Sequence, residues 1–302
     1  MKKQPQKILC AIDFSESTDT ILSYGIGMCQ AYQAKLLLTH VVSDFHTLLH
    51  IHNQKTLDGG DLQQTNIEKA REKLATLGKG LDIDHELIVR QGDPADEINC
   101  LVQEKNIDMV ITSTHGNSGG KRLLIGSVTE KMMKTIRCPL LVMNHRCLSE
   151  QTKNPGIRLE KILVGCDFSP DSGFSFTYGL ELAIKFQSKL YLANVIRPKD
   201  YEKTHKNVDT LRAQMKNKLQ EMIPDLHKCR SLPKTVLLEG KPYKELLNFA
   251  RYHEIDMLVL GIRGHTIWEK LTIGSTTDRV IRESPCPVLV VRHPVMEKAQ
   301  NG

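Results

Sequence analysis

The chain repeats itself once, and this duplication constrains its fold more than any other feature. Residues 7–42 and 161–196 align without a gap, and 13 of the 36 aligned positions are identical. Further along, residues 107–112 and 255–260 share Ile-Asp-Met at a spacing of 148 residues. Solenoid repeats have units of about 20–50 residues, so a period of this size indicates duplication of a whole domain. A length of 302 residues suits two domains that each bury a core of their own.

The junction between the copies is predicted within residues 146–158. Ser149, Asn154, Pro155 and Gly156 interrupt any periodic pattern there, as expected of a linker. We therefore predict a first domain at residues 1–147 and a second at residues 158–302.

Each copy alternates short apolar runs with segments of helical spacing. In the first copy the predicted helices are 15–32, with Ser15 as N-cap, 61–79, 93–105 and 126–136. The predicted strands are 8–12, 36–42, 85–90, 107–112 and 140–143. Near-continuous apolar strands that alternate with helices indicate a parallel sheet covered on both faces. We predict an α/β fold of two tandem doubly wound, Rossmann-like domains, each with a five-stranded, mainly parallel sheet.

Composition indicates a cytoplasmic protein that does not enter membranes. No apolar stretch approaches the roughly 20 residues needed to span a bilayer, and the N-terminal residues lack the apolar core of a signal peptide. The eight cysteines form no CxxC pair, and Cys10, Cys138 and Cys286 lie in apolar runs. Such cysteines are typical of buried, reduced thiols in the cytosol.

The positive charge is concentrated in the second copy. Residues 1–150 carry 17 Lys and Arg against 18 Asp and Glu, whereas residues 151–302 carry 24 against 17. Nucleic-acid binding normally requires a denser basic cluster with stacking aromatics, and only 5% of the residues are aromatic. A solvated basic surface is the favoured interpretation, and nucleic acid is not an expected partner.

A glycine pattern in the second copy predicts a binding site for phosphate. Gly261 and Gly264 follow a predicted strand, and Gly274 and Ser275 open a predicted helix. Glycine lets the backbone approach a ligand closely because no Cβ intervenes. The first turn of a helix has unpaired N–H groups that suit an anion.

The first copy repeats this pattern with one change. Gly116, Gly126 and Ser127 keep the spacing, but Ser113 occupies the place of the first glycine. Either Ser113 weakens the first site or the backbone there accommodates it. Asp13 and Asp167 each end the first strand of their copy, at the edge where ligands bind in sheets of this kind.

The spacing G-x2-G-x9-G-[S/T] resembles the nucleotide-binding motif of the universal stress protein family, and the repeat resembles its tandem form. The resemblance implies ATP, with or without Mg²⁺, as the ligand. Phosphates and ribose would meet the glycines, Ser275 and the start of the helix, and the base would lie near the strand ends. The implied residues are Asp167, Val195, Gly261, Arg263, Gly264, Gly274, Ser275 and Thr276 in the second copy, and Asp13, Val41, Gly116, Gly126, Ser127 and Val128 in the first.

Several of these residues have a second interpretation. The glycines would also suit tight turns, and Asp13 and Asp167 would also suit N-caps. Arg263 would meet a phosphate or stay in solvent. His46, His50 and His52 are close in sequence, but a surface or lid role is favoured over a zinc site.

The sequence supports two main hypotheses for the function, which belong to different classes. The leading hypothesis is a stress-response protein that binds ATP or a related adenine nucleotide, chiefly in the second copy, and is regulated by it. The chain matches no hydrolase elbow, metalloprotease or Walker motif, so slow ATP hydrolysis would lack an evident base. The alternative is an interaction scaffold, or a protein that binds another small metabolite. In either case we expect the halves to form a pseudo-dimer within the chain, and the chain to form a homodimer. The strands after the two Cys-Pro dipeptides are candidates for edge pairing.

Overall fold

A computed structural model of the protein describes residues 4–44, 59–114, 125–144, 146–147, 157, 159–204, 207–223, 232–264 and 273–294. Contacts divide the chain into two compact units. Unit 1 comprises residues 1–138 and 152–157, and unit 2 comprises residues 139–151 and 158–302.

Unit 1 has a parallel sheet in which the strands of the described residues follow the order β3-β2-β1-β4. Ile8 pairs with Leu36 on one side of β1 and with Met109 on the other. The elements in chain order are β1 (Lys7–Ala11), α1 (Thr18–Tyr32), β2 (Lys35–Val42), α2 (Gly59–Gly78), β3 (His85–Gln91), α3 (Pro94–Lys105), β4 (Met109–Ser113) and α4 (Ser127–Thr135).

Unit 2 repeats this order and adds a strand from the end of the first copy. Its sheet has the order β5-β10-β9-β6-β7-β8. Only β5, among these described strands, runs antiparallel to its neighbour in unit 2. The elements are β5 (Leu140–Met143), β6 (Lys161–Gly165), α5 (Pro170–Phe186), β7 (Lys189–Ile196), α6 (Pro198–Thr204), α7 (Val208–Glu221), β8 (Lys234–Glu239), α8 (Pro242–Tyr252), β9 (Met257–Gly261), α9 (Ser275–Glu283) and β10 (Val288–Val291).

The predicted α/β class with a mostly parallel sheet is confirmed. The central strands are apolar throughout and fully covered, and Ile8, Leu9, Ile162 and Leu163 are each 0% exposed. Burial on both faces is what the near-continuous apolar runs predict. None of the helices in the described ranges is both long and apolar enough to cross a bilayer.

The strand β5 pairs with β10, its counterpart in the second copy. Leu140 lies opposite Val290, and Val142 lies opposite Val288. The predicted edge pairing of the strands after Cys-Pro is therefore seen within this one chain. The pairing satisfies the backbone groups of both strands and groups residues 139–151 with unit 2.

The predicted N-cap at Ser15 is wrong, because α1 begins three residues later, at Thr18. The Ser15 hydroxyl instead lies 2.8 Å from the Ser17 hydroxyl. In unit 2 the matching Ser169 does cap its helix, and its side chain accepts a hydrogen bond from the Ser172 N–H at 3.3 Å. Pro170 at the first helical position fixes the start of α5 there, and the first copy has Glu16 at that place.

Candidate functional site

In each unit a cavity lies where the direction of strand crossover reverses. From β1 the chain crosses to β2 and β3 on one side, and β4 then returns to the other side of β1. The loops after β1 and β4 therefore diverge and leave a crevice at the carboxyl ends of the strands. The cavity there is about 550 Å³ in unit 1 and about 370 Å³ in unit 2, where β6 and β9 take the same places.

Most of the predicted site residues line these cavities. All eight residues predicted in the second copy line the cavity of unit 2. In unit 1 the cavity is lined by Asp13, Val41, Gly126, Ser127 and Val128. The remaining prediction, Gly116, lies outside the described residues, as do His46, His50 and His52.

The start of helix α9 forms one wall of the unit 2 cavity. Gly274 is the N-cap, with an extended backbone and no capping side chain, and its N–H donates to the Ile262 carbonyl at 2.8 Å. The backbone N–H groups of Ser275 and Thr276 form no hydrogen bond with the described part of the chain. These N–H groups and the helix dipole favour an anion at this point.

The start of α4 has the same construction in unit 1. Gly126 is the N-cap without a capping side chain, and its N–H donates to the Thr114 carbonyl at 2.7 Å. The Thr129 hydroxyl donates to the Ser113 carbonyl at 2.7 Å, and the Thr277 hydroxyl donates to the Gly261 carbonyl at 2.7 Å. These two threonines, which no sequence motif indicated, hold the start of each helix against the end of the preceding strand. Their shared spacing of 148 residues was the available signal.

Gly264 brings the backbone close to the carboxylate of Asp167. A Cβ built on Gly264 would lie 2.5 Å from Asp167 Oδ2, so any other residue would displace that carboxylate. The glycine therefore leaves room for the carboxylate of Asp167 at this point of the cavity. This is a close approach of the kind that the glycine pattern predicts, although the group approached is a side chain of the protein.

Gly261 allows the end of β9 to pack closely against the start of α5. A Cβ there would lie 2.9 Å from the backbone carbon and the Cβ of Asp171, at the start of α5. In unit 1 the corresponding pair is Ser113 and Ser17, and their hydroxyls are 3.0 Å apart. The backbone of unit 1 accommodates Ser113 beside Ser17, which precedes α1, whereas Asp171 already lies in the first turn of α5.

Arg263 is held by a buried aspartate. Its Nε donates to Asp171 Oδ2 at 3.3 Å and its backbone N–H donates to the same oxygen at 3.2 Å. Asp171 Oδ1 also accepts from the His293 N–H at 3.0 Å. The side chains of Arg263 and Asp171 are 17% and 3% exposed, so Arg263 is not the solvated loop residue of the second interpretation. The strongest contacts of Arg263 are therefore with Asp171. They join the loop after β9, called the motif loop, to α5 and to the end of β10.

Asp13 and Asp167 each stabilise a tight turn after the first strand. Asp13 Oδ1 accepts from the Ser15 N–H at 3.1 Å, and Asp167 Oδ1 accepts from the Ser169 N–H at 3.0 Å. Neither aspartate is the residue that precedes the helix, so the N-cap interpretation is wrong. The turn places Phe14 and Phe168 in the left-handed region, at φ of 60° and 63°. Aromatic residues rarely adopt this conformation, and such strain is concentrated at functional sites.

Each of these phenylalanines lies under a lysine. Lys73 Nζ lies 5.0 Å from the Phe14 ring centroid, and Lys218 Nζ lies 5.6 Å from that of Phe168. The lysines come from α2 and α7, whose sequences differ between the copies, so the sequence repeat did not reveal them. Both units therefore place a cation beside the turn that ends the first strand.

The cavities differ in charge. In unit 1, Lys69, Lys73 and Asp13 are the residues with charged side chains among the described lining, which leaves an excess of positive charge. Among the described lining of unit 2, the cations Arg197 and Arg263 balance the anions Asp167 and Asp200, and Arg197 donates to both oxygens of Asp200 at 2.8–3.2 Å. Burial has the largest single effect on Asp200 and raises its pKa, but the hydrogen bonds and the positive charge of Arg197, with a smaller effect of Lys199, together lower it, which keeps this pair charged.

A histidine and an asparagine occupy equivalent places at the ends of the second strands. His40 Nδ1 lies 2.9 Å from the Ile12 carbonyl, and Asn194 Nδ2 donates to the Cys166 carbonyl at 2.8 Å. The His40 ring also packs on Phe14, with centroids 4.4 Å apart. Burial lowers the pKa of His40 below its usual value of 6.5, against the opposing effects of the Ile12 carbonyl and Asp13. His40 is therefore neutral near pH 7.

The described parts of the cavities contain neither a cysteine thiolate nor a metal cluster. Burial raises the pKa of the Cys166 thiol, so this cysteine of the unit 2 cavity is not a thiolate at neutral pH. Among the residues that the structure describes, no group of three or more His, Cys, Asp or Glu side chains is arranged to hold a metal ion.

The comparisons of the chain with known proteins all point to the same family. The sequence profile of the Universal stress protein family matches residues 5–144 and again residues 158–292. A universal stress protein of Methanocaldococcus jannaschii is 27% identical over 164 residues, which cover 52% of this chain and 96% of that protein. The universal stress protein YxiE of Bacillus subtilis is 28% identical over 152 residues, 45% of this chain and 97% of its own length. The crystal structure of a universal stress protein from Archaeoglobus fulgidus matches with a TM-score of 0.70 and 21% identity, and covers 96% of this chain and 100% of its own. This last match shows that the fold is shared over the full tandem chain.

Proposed function

Because the chain belongs to the universal stress protein family and carries two copies of its domain, we propose that both of its cavities bind an adenine nucleotide such as ATP. The protein would then respond to nucleotide concentration through binding. The proposed sites comprise the residues that the sequence predicts in both units. The domain limits of 1–147 and 158–302 are likewise proposed. The cytoplasmic location and the homodimer stay predictions.

One observation carries the proposal. In both units an uncapped helix start, with a glycine N-cap followed by serine, borders a cavity at the crossover reversal of a parallel sheet. Free N–H groups of a helix start hold phosphate well. The cavities of about 550 and 370 Å³ are within the range of small-molecule sites.

The other walls suit the rest of a nucleotide. Val41 and Val195 supply apolar surface at the ends of β2 and β7, and they are 8% and 9% exposed. Asp13 and Asp167, whose carboxylates line the cavities, are acceptors for ribose hydroxyls. Mg²⁺ would enter with the phosphates as their counter-ion.

Binding of this kind has a regulatory consequence. A ligand that binds the folded state alone stabilises it by RT ln(1 + [L]/Kd), which is about 4 kcal/mol when the ligand is at 1,000 times its Kd. A free energy of this size is enough to shift a conformational or assembly equilibrium. We propose binding without assigning a catalytic step.

Two matched substitutions test the proposal directly. Ser275→Pro and Ser127→Pro remove one N–H and one hydroxyl from each helix start. Proline is tolerated at the first helical position because that N–H has no partner in the helix, and Gly274 and Gly126 already have the extended backbone that precedes proline. The chain itself uses proline at the start of α3, α5 and α8, so we expect both variants to fold.

The measurement is ATP titration by calorimetry, together with mass spectrometry of small molecules released from the denatured protein. We expect about two equivalents of ATP for the original chain, one for each single variant and none for the double variant. One equivalent that is lost only in Ser275→Pro would restrict the function to unit 2. Absence of bound or titratable nucleotide would reject the proposal and favour the interaction scaffold.

A further inference from the structure

His40 and Asn194 have different side chains but the same hydrogen-bonding arrangement. They occupy equivalent positions of the two copies, 154 residues apart, and both line their cavities. We propose that each determines ligand specificity by accepting a hydrogen bond from an N–H or O–H group of the ligand, through Nε2 of His40 and Oδ1 of Asn194. This inference rests on the proposed function, since it names the feature of the nucleotide that these residues recognise.

The donor nitrogen of His40 already has an acceptor within the protein. Its Nδ1 lies 2.9 Å from the Ile12 carbonyl oxygen, and a carbonyl oxygen can only accept a hydrogen bond. Nδ1 therefore carries the proton, and in a neutral imidazole the other nitrogen, Nε2, is then an acceptor. No described residue donates a hydrogen bond to Nε2.

Asn194 also presents a hydrogen-bond acceptor to the cavity, through its side-chain amide. Its Nδ2 donates to the Cys166 carbonyl at 2.8 Å, which leaves Oδ1 as the acceptor of the side chain. No donor to Oδ1 is found in the described part of the chain. Although Asn194 is only 7% exposed, its Oδ1 is not one of the fully buried unpaired atoms of the described residues, so it is open to a ligand donor in the cavity.

The two copies together favour a role for the acceptor beyond the structural bond. The bond to the carbonyl at the end of the first strand requires only a donor. Histidine and asparagine share a second property, a hydrogen-bond acceptor on the far side of that donor, and in both units the side chain lines the cavity.

The protonation state of His40 keeps this acceptor available at neutral pH. The Phe14 ring packs on His40, the charges of Asp13 and Lys73 act on it, and Lys69 lines the same cavity. Burial has the largest effect and lowers the pKa of His40 below 6.5. Protonation in acid would change Nε2 from an acceptor to a donor, whereas Asn194 does not titrate.

Two groups of an adenine nucleotide are candidates for the donor, the exocyclic amine and a ribose hydroxyl. ITP has an oxygen in place of the amine, so two acceptors would face each other. 2′-deoxy-ATP and 3′-deoxy-ATP each lack one hydroxyl. All four compounds carry the same triphosphate, so a ratio of their affinities isolates the contribution of the base or the sugar.

The test measures these ratios by calorimetry in the Ser275→Pro background, where unit 1 alone binds. We expect one of the three analogues to bind about tenfold more weakly than ATP. His40→Leu should remove this discrimination, and His40→Asn should retain it because asparagine supplies the arrangement of unit 2. His85→Asn is the matched control. His85 Nδ1 also lies 2.9 Å from a backbone carbonyl, that of Ile83, but His85 does not line the cavity.

The pH dependence gives a second, independent measurement. The discrimination by unit 1 should decrease as the pH falls below 6.5 and His40 becomes protonated, and it should be constant in His40→Asn. If ATP binds but His40→Leu leaves all three ratios unchanged, the inference is overturned and the proposed function stands. If ATP does not bind the original chain, both are overturned.

Discussion

Units 1 and 2 build the same cavity with different residues at the contact between the motif loop and the first helix. In unit 1 the contact is a serine pair, Ser113 and Ser17, joined by a hydrogen bond. In unit 2 the strand residue is Gly261, and the helix residue is the larger Asp171, which binds Arg263. The facing residue precedes the helix in unit 1 and lies within its first turn in unit 2, so the first glycine of the motif depends on where the helix begins as much as on a ligand.

The largest loss of stability is expected from replacing Asp171. Replacing it with alanine leaves the buried guanidinium of Arg263 and the His293 N–H without their acceptor. Removal of one partner of a buried ion pair costs roughly 3–5 kcal/mol, so we expect Asp171→Ala to destabilise unit 2 by about 3 kcal/mol. Chemical denaturation followed by the fluorescence of Trp268, the single tryptophan of the chain, and by circular dichroism measures this loss.

The matched control is Ser17→Ala in unit 1, which removes a neutral hydrogen bond worth about 1 kcal/mol. The double variant Asp171→Ala with Arg263→Met should recover part of the loss, because no buried charge is then left unpaired. Equal destabilisation by Asp171→Ala and Ser17→Ala would show that the ion pair does not hold the motif loop.

A smaller effect is expected from exchanging the strand residues. Gly261→Ser places a Cβ 2.9 Å from backbone and side-chain carbons of Asp171, and overpacking of this kind costs roughly 1–3 kcal/mol. The reverse change, Ser113→Gly, loses the bond to Ser17 and should cost about 1 kcal/mol. Denaturation midpoints of the two variants give the comparison. Should Gly261→Ser prove as stable as the original chain, helix α5 would have to adjust freely, and the packing role of Gly261 would be wrong.

The sequence predicted the fold class, the duplication and a part of the cavity lining, because these follow from periodicity and from residues that keep their spacing. It could not predict the partner of Arg263. Asp171 is 92 residues away, and its counterpart in the other copy is Ser17, so the repeat itself gave no indication. The wrong N-cap at Ser15 has a similar origin, since the Asp-Phe-Ser turns match in sequence while only the second is followed by proline.

Lys69 and Lys73 also escaped prediction, because α2 and α7 share little sequence and the cations meet the cavity only through the fold. His40 and Asn194 were missed for a different reason. They align in the repeat, but their equivalence is one of hydrogen bonding and not of residue type. The chemistry that distinguishes the two cavities therefore lies mostly at positions where the copies differ.

The smallest expected effect concerns this difference in charge. Lys69 and Lys73 are exposed, and salt screens exposed charges over about 8–10 Å, so each contributes modestly to holding a triphosphate. Replacing both with alanine should weaken ATP binding to unit 1 by about threefold to tenfold at low salt. The loss should shrink as salt is added. Calorimetry in the Ser275→Pro background measures it, and Lys218→Ala in the Ser127→Pro background is the counterpart for unit 2.

If the positive charge of unit 1 attracts the phosphates, the affinity of unit 1 should fall more steeply with salt than that of unit 2, where Arg197 and Asp200 neutralise each other. The double lysine variant should bring the two salt dependences together. Parallel salt dependences in the original chain would mean that the helix starts, which are alike in both units, supply the electrostatic attraction and that the lysines serve the phenylalanine turns alone.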